Sequence, residues 1–217
     1  MKNDTQLQHD VLDELEWEPS IDASQIGITA KEGVATLTGS VASYGEKMTA
    51  EQVTKRVYGV KAVANDIAVK IPGISQRTDT DIAAAALNAL KWDAAVPSDR
   101  IKVTVRDGWV TLEGTVDWQY QREAADRDVR QLIGVKGVSN QITVKARVKS
   151  GDVREKIESA FKRSAEVDAR RVSVEAQESK VVLRGNVRSW AEREQAQQAA
   201  WAAPGVCEVE NRLTVTP

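Results

Sequence analysis

A chain of 217 residues with 41% hydrophobic and 29% charged side chains is apolar enough to build cores, which excludes extensive disorder. Its formal net charge of −2 supplies no broad basic field, so nucleic acid is excluded as the main partner. No run approaches the roughly 18 apolar residues of a transmembrane segment, and the opening MKNDTQLQHDVLDELEWEPS lacks a secretion signal, so the chain reads as cytoplasmic as it stands and periplasmic if a leader preceded it.

The first predicted element is a helix. After Asp4, which is placed to cap it, Leu7, Val11 and Leu15 recur every four residues. Ile26, Ile28 and Ala30 alternate with polar residues, the period of a half-buried strand, and Glu32-Gly33 turns the chain into a second strand that buries Ala35 and Leu37. Ser43 and Glu46 are spaced as a capping box for a second helix, which Gly59 ends. Val63, Asn65, Ile67 and Val69 form the last strand.

This αββαβ order then recurs. GVATLTGSV (33–41), GWVTLEGTV (108–116) and SKVVLRGNV (179–187) are offset by 75 and 71 residues, and the same offsets superimpose VANDIAV (63–69), VSNQITV (138–144) and VENRLTV (209–215). Residues 4–71, 79–146 and 150–217 align without a gap. The prediction is three tandem α+β modules, each a small three-stranded sheet with two helices on one face and with Leu37, Leu112 and Leu183 in equivalent core positions. Asp79 and Ser150 take the place of Asp4, and Ser189 and Glu192 repeat the capping box, with Asp117 capping the middle copy. The linker 147–149 is shorter than 72–78, so copies two and three are expected to be held close and copy one to be freer.

The GxVxLxG segment followed by GV-x-x-V-x-N-x-[IL]-x-V resembles the BON family over nearly the whole chain. Gly39, Gly114 and Gly185 match the family's hairpin glycine, and Gly59, Gly134 and Gly205 the one before the last strand; Ser179 departs from it where the other copies have Gly33 and Gly108. The resemblance implies a non-enzymatic module associated with osmotic and envelope stress, phospholipid surfaces, small ligands or, in cytoplasmic relatives, potassium.

Reactive side chains are scarce. One histidine, His9, and one cysteine, Cys207, exclude a His-based triad and a zinc site, and no phosphate-cradling glycine motif occurs, so no catalytic, cofactor or metal residue is assigned. Asp13, Glu14, Glu16 and Glu18 face away from the apolar stripe as solvated surface. Asn65, Asn140 and Asn211 share the core-facing parity of the last strand, where a hydrogen bond to a neighbouring loop is expected. Tyr44, Trp118 with Tyr120, and Trp190 recur where the second strand feeds the second helix, either as packing under the helix start or as contacts to a lipid interface or partner. Trp17 and Trp92 are placed at the core edge. Trp109 projects from the sheet face away from the helices, with Val34 and Lys180 as its counterparts, and is expected to pack on a neighbouring module or a second subunit of a homo-oligomer.

These features describe a non-catalytic, stress-associated protein that contacts phospholipid surfaces or protein partners. The alternative is a small-ligand or potassium sensor, its ion held by backbone carbonyls that leave no side-chain signature.

Overall fold

The computed structural model describes residues 3–145, 153–164 and 167–216. Ser150 and the linker 147–149 lie outside the described residues. Copy one comprises α1 (Asp4–Trp17), β1 (Ile26–Lys31), β2 (Val34–Val41), α2 (Tyr44–Arg56), β3 (Ala62–Asn65) and β4 (Ala68–Val69). Copy two comprises α3 (Asp79–Trp92), β5 (Ile101–Arg106), β6 (Trp109–Val116), α4 (Gln119–Arg130) and β7 (Gly137–Val144). Copy three comprises α5 (Val153–Arg163), β8 (Val172–Gln177), β9 (Lys180–Val187), α6 (Trp190–Trp201) and β10 (Glu208–Val215).

Each copy builds one sheet with its second strand in the centre. The first two strands are an antiparallel hairpin, while the last strand, returning after a helix, pairs parallel to the second, as a helical crossover permits. The last strand of copy one was expected to be continuous. Its ladder lapses at Asp66 and Ile67, opposite Thr38 and Gly39, and resumes as β4 in the same register. Leu37, Leu112 and Leu183 are fully buried, and copy three gathers Val153, Ile157, Phe161, Val174, Val181 and Leu183 into one core cluster.

The helix starts differ from expectation by one residue. Asn3 and Thr78, not Asp4 and Asp79, are the N-caps, and Thr78 forms a capping box with Asp81. This frees the aspartates of the first turn for another task. Asp4 accepts the Glu32 amide at 2.9 Å, and Asp79 accepts the amides of Asp107 and Gly108 at 2.8 and 2.9 Å, so each helix start ties down the hairpin turn beside it. Those turns need it: Glu32, Asp107 and Glu178 are the only non-glycine residues among those described with positive φ (52°, 53° and 53°).

The expected capping boxes at α2 and α6 are half present. Ser43 and Ser189 accept the amides of Glu46 and Glu192, but the Glu46 carboxylate takes the Ser43 hydroxyl, and the buried Glu192 carboxylate takes the amides of Arg188 and Asp168. At α4 the side chain of Gln121 accepts the amides of Asp117 and Trp118, the bonds by which a third-position glutamine reaches back to the residues before a helix.

The chain divides into two compact units, one formed by residues up to Gly114 with Glu123–Ile142, the other by Thr115–Arg122 and the residues from Thr143 onward. Within the first, copy one is packed on copy two rather than hanging from its longer linker: the Val138 amide bonds to the Tyr44 phenol, and Gly45 lies against the Arg130 carbonyl.

Candidate functional site

The aromatic residues singled out by the sequence fall into different environments. Tyr44, on the first turn of α2, is half-buried, and burial together with the nearby Asp126 carboxylate raises its phenol above the ordinary value. Its contact is thus the second copy. Trp118 and Trp190 are also half-buried at the starts of α4 and α6. The Arg193 guanidinium lies 4.9 Å from the Trp190 ring centroid, and its donors reach the carbonyls of Leu213 and Asn211 at 3.2 and 3.1 Å. That ring supports the joint between α6 and β10. Tyr120, by contrast, is 56% exposed.

Trp109 lies across its own sheet. A Cβ on Gly137, its register partner's position on β7, would fall 2.4 Å from the indole ring, so the ring rests flat on the glycine while 56% of the residue stays exposed. The corresponding cross-strand pairs are Val34 with Ala62 and Lys180 with Glu208, the latter an ion pair at 2.7 Å. Trp109 and Tyr44 therefore meet consecutive residues of one strand, Gly137 and Val138.

The repeated asparagines bind a helix rather than a loop. Asn65 donates to the Lys47 carbonyl at 3.0 Å and to Glu51 at 3.2 Å, Asn211 donates to Gln197 at 2.8 Å, and each side-chain oxygen, like that of Asn140, accepts the amide two residues on. Asn65 and Asn211 clamp the last strand to the second helix of their copies, which gives these two a structural task without a ligand.

Trp17 and Trp92, expected at the core edge, are 85% and 87% exposed. The helical period explains it. Two residues beyond Leu15 or Leu90 is about 200° around the helix, which turns the indole away from the core stripe. Tyr58 and Ile133, another pair of counterparts at the same 75-residue offset, are likewise exposed, and Trp17 and Tyr58 rim one groove with Asp13, Glu14 and Arg56. Recurrence at a fixed offset together with the off-stripe position was the available signal for this patch. Among the described residues no group of three or more histidine, cysteine or carboxylate side chains is placed to hold a metal, and no helix is long and apolar enough to cross a membrane.

Comparison with known proteins follows the repeat. The family model of the BON domain matches residues 3–71, 78–146 and 149–217. Osmotically-inducible protein Y of Escherichia coli strain K12 is 33% identical over 132 residues, which is 58% of this chain and 65% of that protein. The chain thus aligns with just under two thirds of the length of that curated relative. Among solved structures, the C-terminal domain of CdsD, a structural protein of the type III secretion system of Chlamydia trachomatis, matches with a TM-score of 0.27 at 15% identity over all of both chains. The PrgH periplasmic domain matches with a TM-score of 0.23 at 10% identity, over 95% of this chain and 100% of that one. Scores this low say nothing further about fold or function.

Proposed function

The chain belongs to the BON-domain family, with three copies in tandem, and from that premise we propose that it is a non-catalytic, osmotic-stress-associated protein that seats at phospholipid surfaces through the exposed tryptophans closing the first helices of copies one and two. The observation that carries this reading is the pair Trp17 and Trp92, at equivalent positions and 85% and 87% exposed. Two large rings held in water on rigid helix ends are unfavourable for an isolated soluble domain, whereas an indole at the headgroup level keeps its N–H hydrated and buries its apolar body. Tyr58 and Ile133 supply further apolar or amphipathic surface in the same two copies. Similarity to a protein named for osmotic induction supports the stress association, and a single histidine and cysteine support the absence of catalysis.

Co-sedimentation with vesicles of phosphatidylethanolamine and phosphatidylglycerol tests the reading. The wild type should pellet with the vesicles. Trp17→Ala with Trp92→Ala should lower the partition by at least about tenfold, the equivalent of roughly 1.4 kcal/mol of lost ring burial, without loss of fold because both rings are outside the cores. A wild type that stays in the supernatant, or a double variant that pellets equally well, sinks it.

A further inference from the structure

We propose that the open face of the copy-two sheet binds an acidic saccharide, with a sugar ring stacked on Trp109 and the sugar's carboxylate at Arg106. The indole is a prepared platform. One side of it lies on Gly137, where a Cβ would be 2.4 Å away, and 56% of the residue is exposed, so its other side meets solvent from a fixed position. A ring held in place before binding spares the cost of ordering it in the complex.

The surroundings select a sugar over an apolar partner. Alternation along the strands puts Thr104, Thr111, Ser139 and Gln141 on the face that carries Trp109, and no aliphatic side chain joins them there. The core of a protein interface, and equally a lipid-seated patch, calls for a broader apolar area than one ring. A hexose instead carries C–H groups on its flat side, which the negative face of an indole attracts, and hydroxyls around its rim, which hydroxyl and amide side chains satisfy. Side chains on this face stand about 7 Å apart along a strand and about 5 Å apart across neighbouring strands, the scale of one sugar ring.

Charge adds the acid. Arg106 is the cross-strand partner of Trp109 and is exposed, and among the described residues it forms no ion pair. Lys102 on the same strand is also exposed and in no ion pair, but its register partner is Glu113, so a sugar carboxylate is drawn to Arg106 beside the ring. Copy three makes the contrast. It has Gln177 and Lys180 in place of Arg106 and Trp109, and its cations are already held, Lys180 by Glu208 at 2.7 Å, Arg184 by Glu175 at 3.3 Å and Arg212 by Glu210. Copy one has Lys31 and Val34 at these positions and no ring. Glu113, with Asp107 on the turn, also breaks the run of cations that a nucleic-acid backbone requires. This site uses neither Trp17 nor Trp92 and stands independently of the lipid reading.

Isothermal titration of the full chain with tetragalacturonate, a linear acidic oligosaccharide, tests it from about 10 μM to about 10 mM, a range that spans weak affinities. Tetragalacturonate should bind, and maltotetraose, a neutral oligosaccharide, should bind at least about tenfold more weakly. Trp109→Ala and Arg106→Ala should each weaken tetragalacturonate binding at least about tenfold, and Lys180→Ala at the equivalent place in copy three should leave it unchanged. All three side chains lie outside the cores, so circular dichroism should show the fold retained. Trp109→Phe keeps a flat ring and should retain part of the affinity lost in the alanine variant. Tetragalacturonate that does not bind, maltotetraose that binds as tightly, or a Trp109→Ala variant that binds undiminished overturns the proposal. So does a short oligothymidylate that binds more tightly than the sugar, or a dimer in sedimentation velocity that Trp109→Ala dissolves.

Discussion

At Gly114 the central strand of copy two passes so close to the strand beside it that a Cβ would sit 2.1 Å from the Arg100 carbonyl oxygen. The distance is 2.0 Å at both Gly39 and Gly185, and all three have positive φ. The glycine that recurs in every copy is therefore a point of backbone contact at the open end of the hairpin rather than a turn residue. Because the obstacle is backbone and not a flexible side-chain tip, Gly114→Ala should destabilise copy two by on the order of 3 kcal/mol, read as a lower urea midpoint with secondary structure retained in the other copies. An unchanged midpoint would show that the strands can part there at no cost. The Trp109 ring on Gly137 carries a related lesson: across the repeat the pair is Val with Ala, Trp with Gly and Lys with Glu, so the position opposite a large ring is the one left without a side chain.

Among elements, the joint between α3 and α4 is distinctive. Burial, with the charge of Asp93 beside it, raises the Asp128 carboxyl above its ordinary value, and Arg127 only partly opposes this. The folded state then binds that proton more tightly than the unfolded state does. Stability from this group is present below the unfolded carboxyl value and is lost as pH rises through the raised one, so at neutral pH the pair is a net cost. Asp128→Asn should raise the melting temperature at pH 7 and have progressively less effect as the solution is acidified into the carboxyl range. Thermal melts at both ends of that range check it, and a variant that destabilises at pH 7 would mean that the carboxylate is needed there. The corresponding residue in copy one is the buried Val53, where the apolar choice raises no such conflict.

For the first unit as a whole, Tyr44 couples two small cores. Modules of this size bury only about 60% of their unfolded surface and are marginal alone, so neighbour contacts weigh heavily in their stability. Tyr44→Ala should remove both the ring contact and the Val138 hydrogen bond, and copies one and two should then melt as separate transitions in calorimetry. Tyr44→Phe, which removes only the phenolic oxygen, should broaden the transition without splitting it. A single sharp transition in the alanine variant would show that the two copies are coupled elsewhere.

The repeat, the order of elements, the register of the hairpins and the core leucines were all legible in the sequence. Periodicity and offset are properties of the chain itself, and a one-residue slip would have turned every core side chain outward. The asparagines and Gly114 could be recognised as recurring but not understood, because their partners, a helix eighteen residues away or a strand across the hairpin, are set by tertiary packing. Trp17 and Trp92 show the limit most plainly. Their off-stripe position was readable, but whether a neighbouring element covers such a ring depends on how the second helix and the loop after it fold back, and only the folded chain shows that nothing among the described residues covers it.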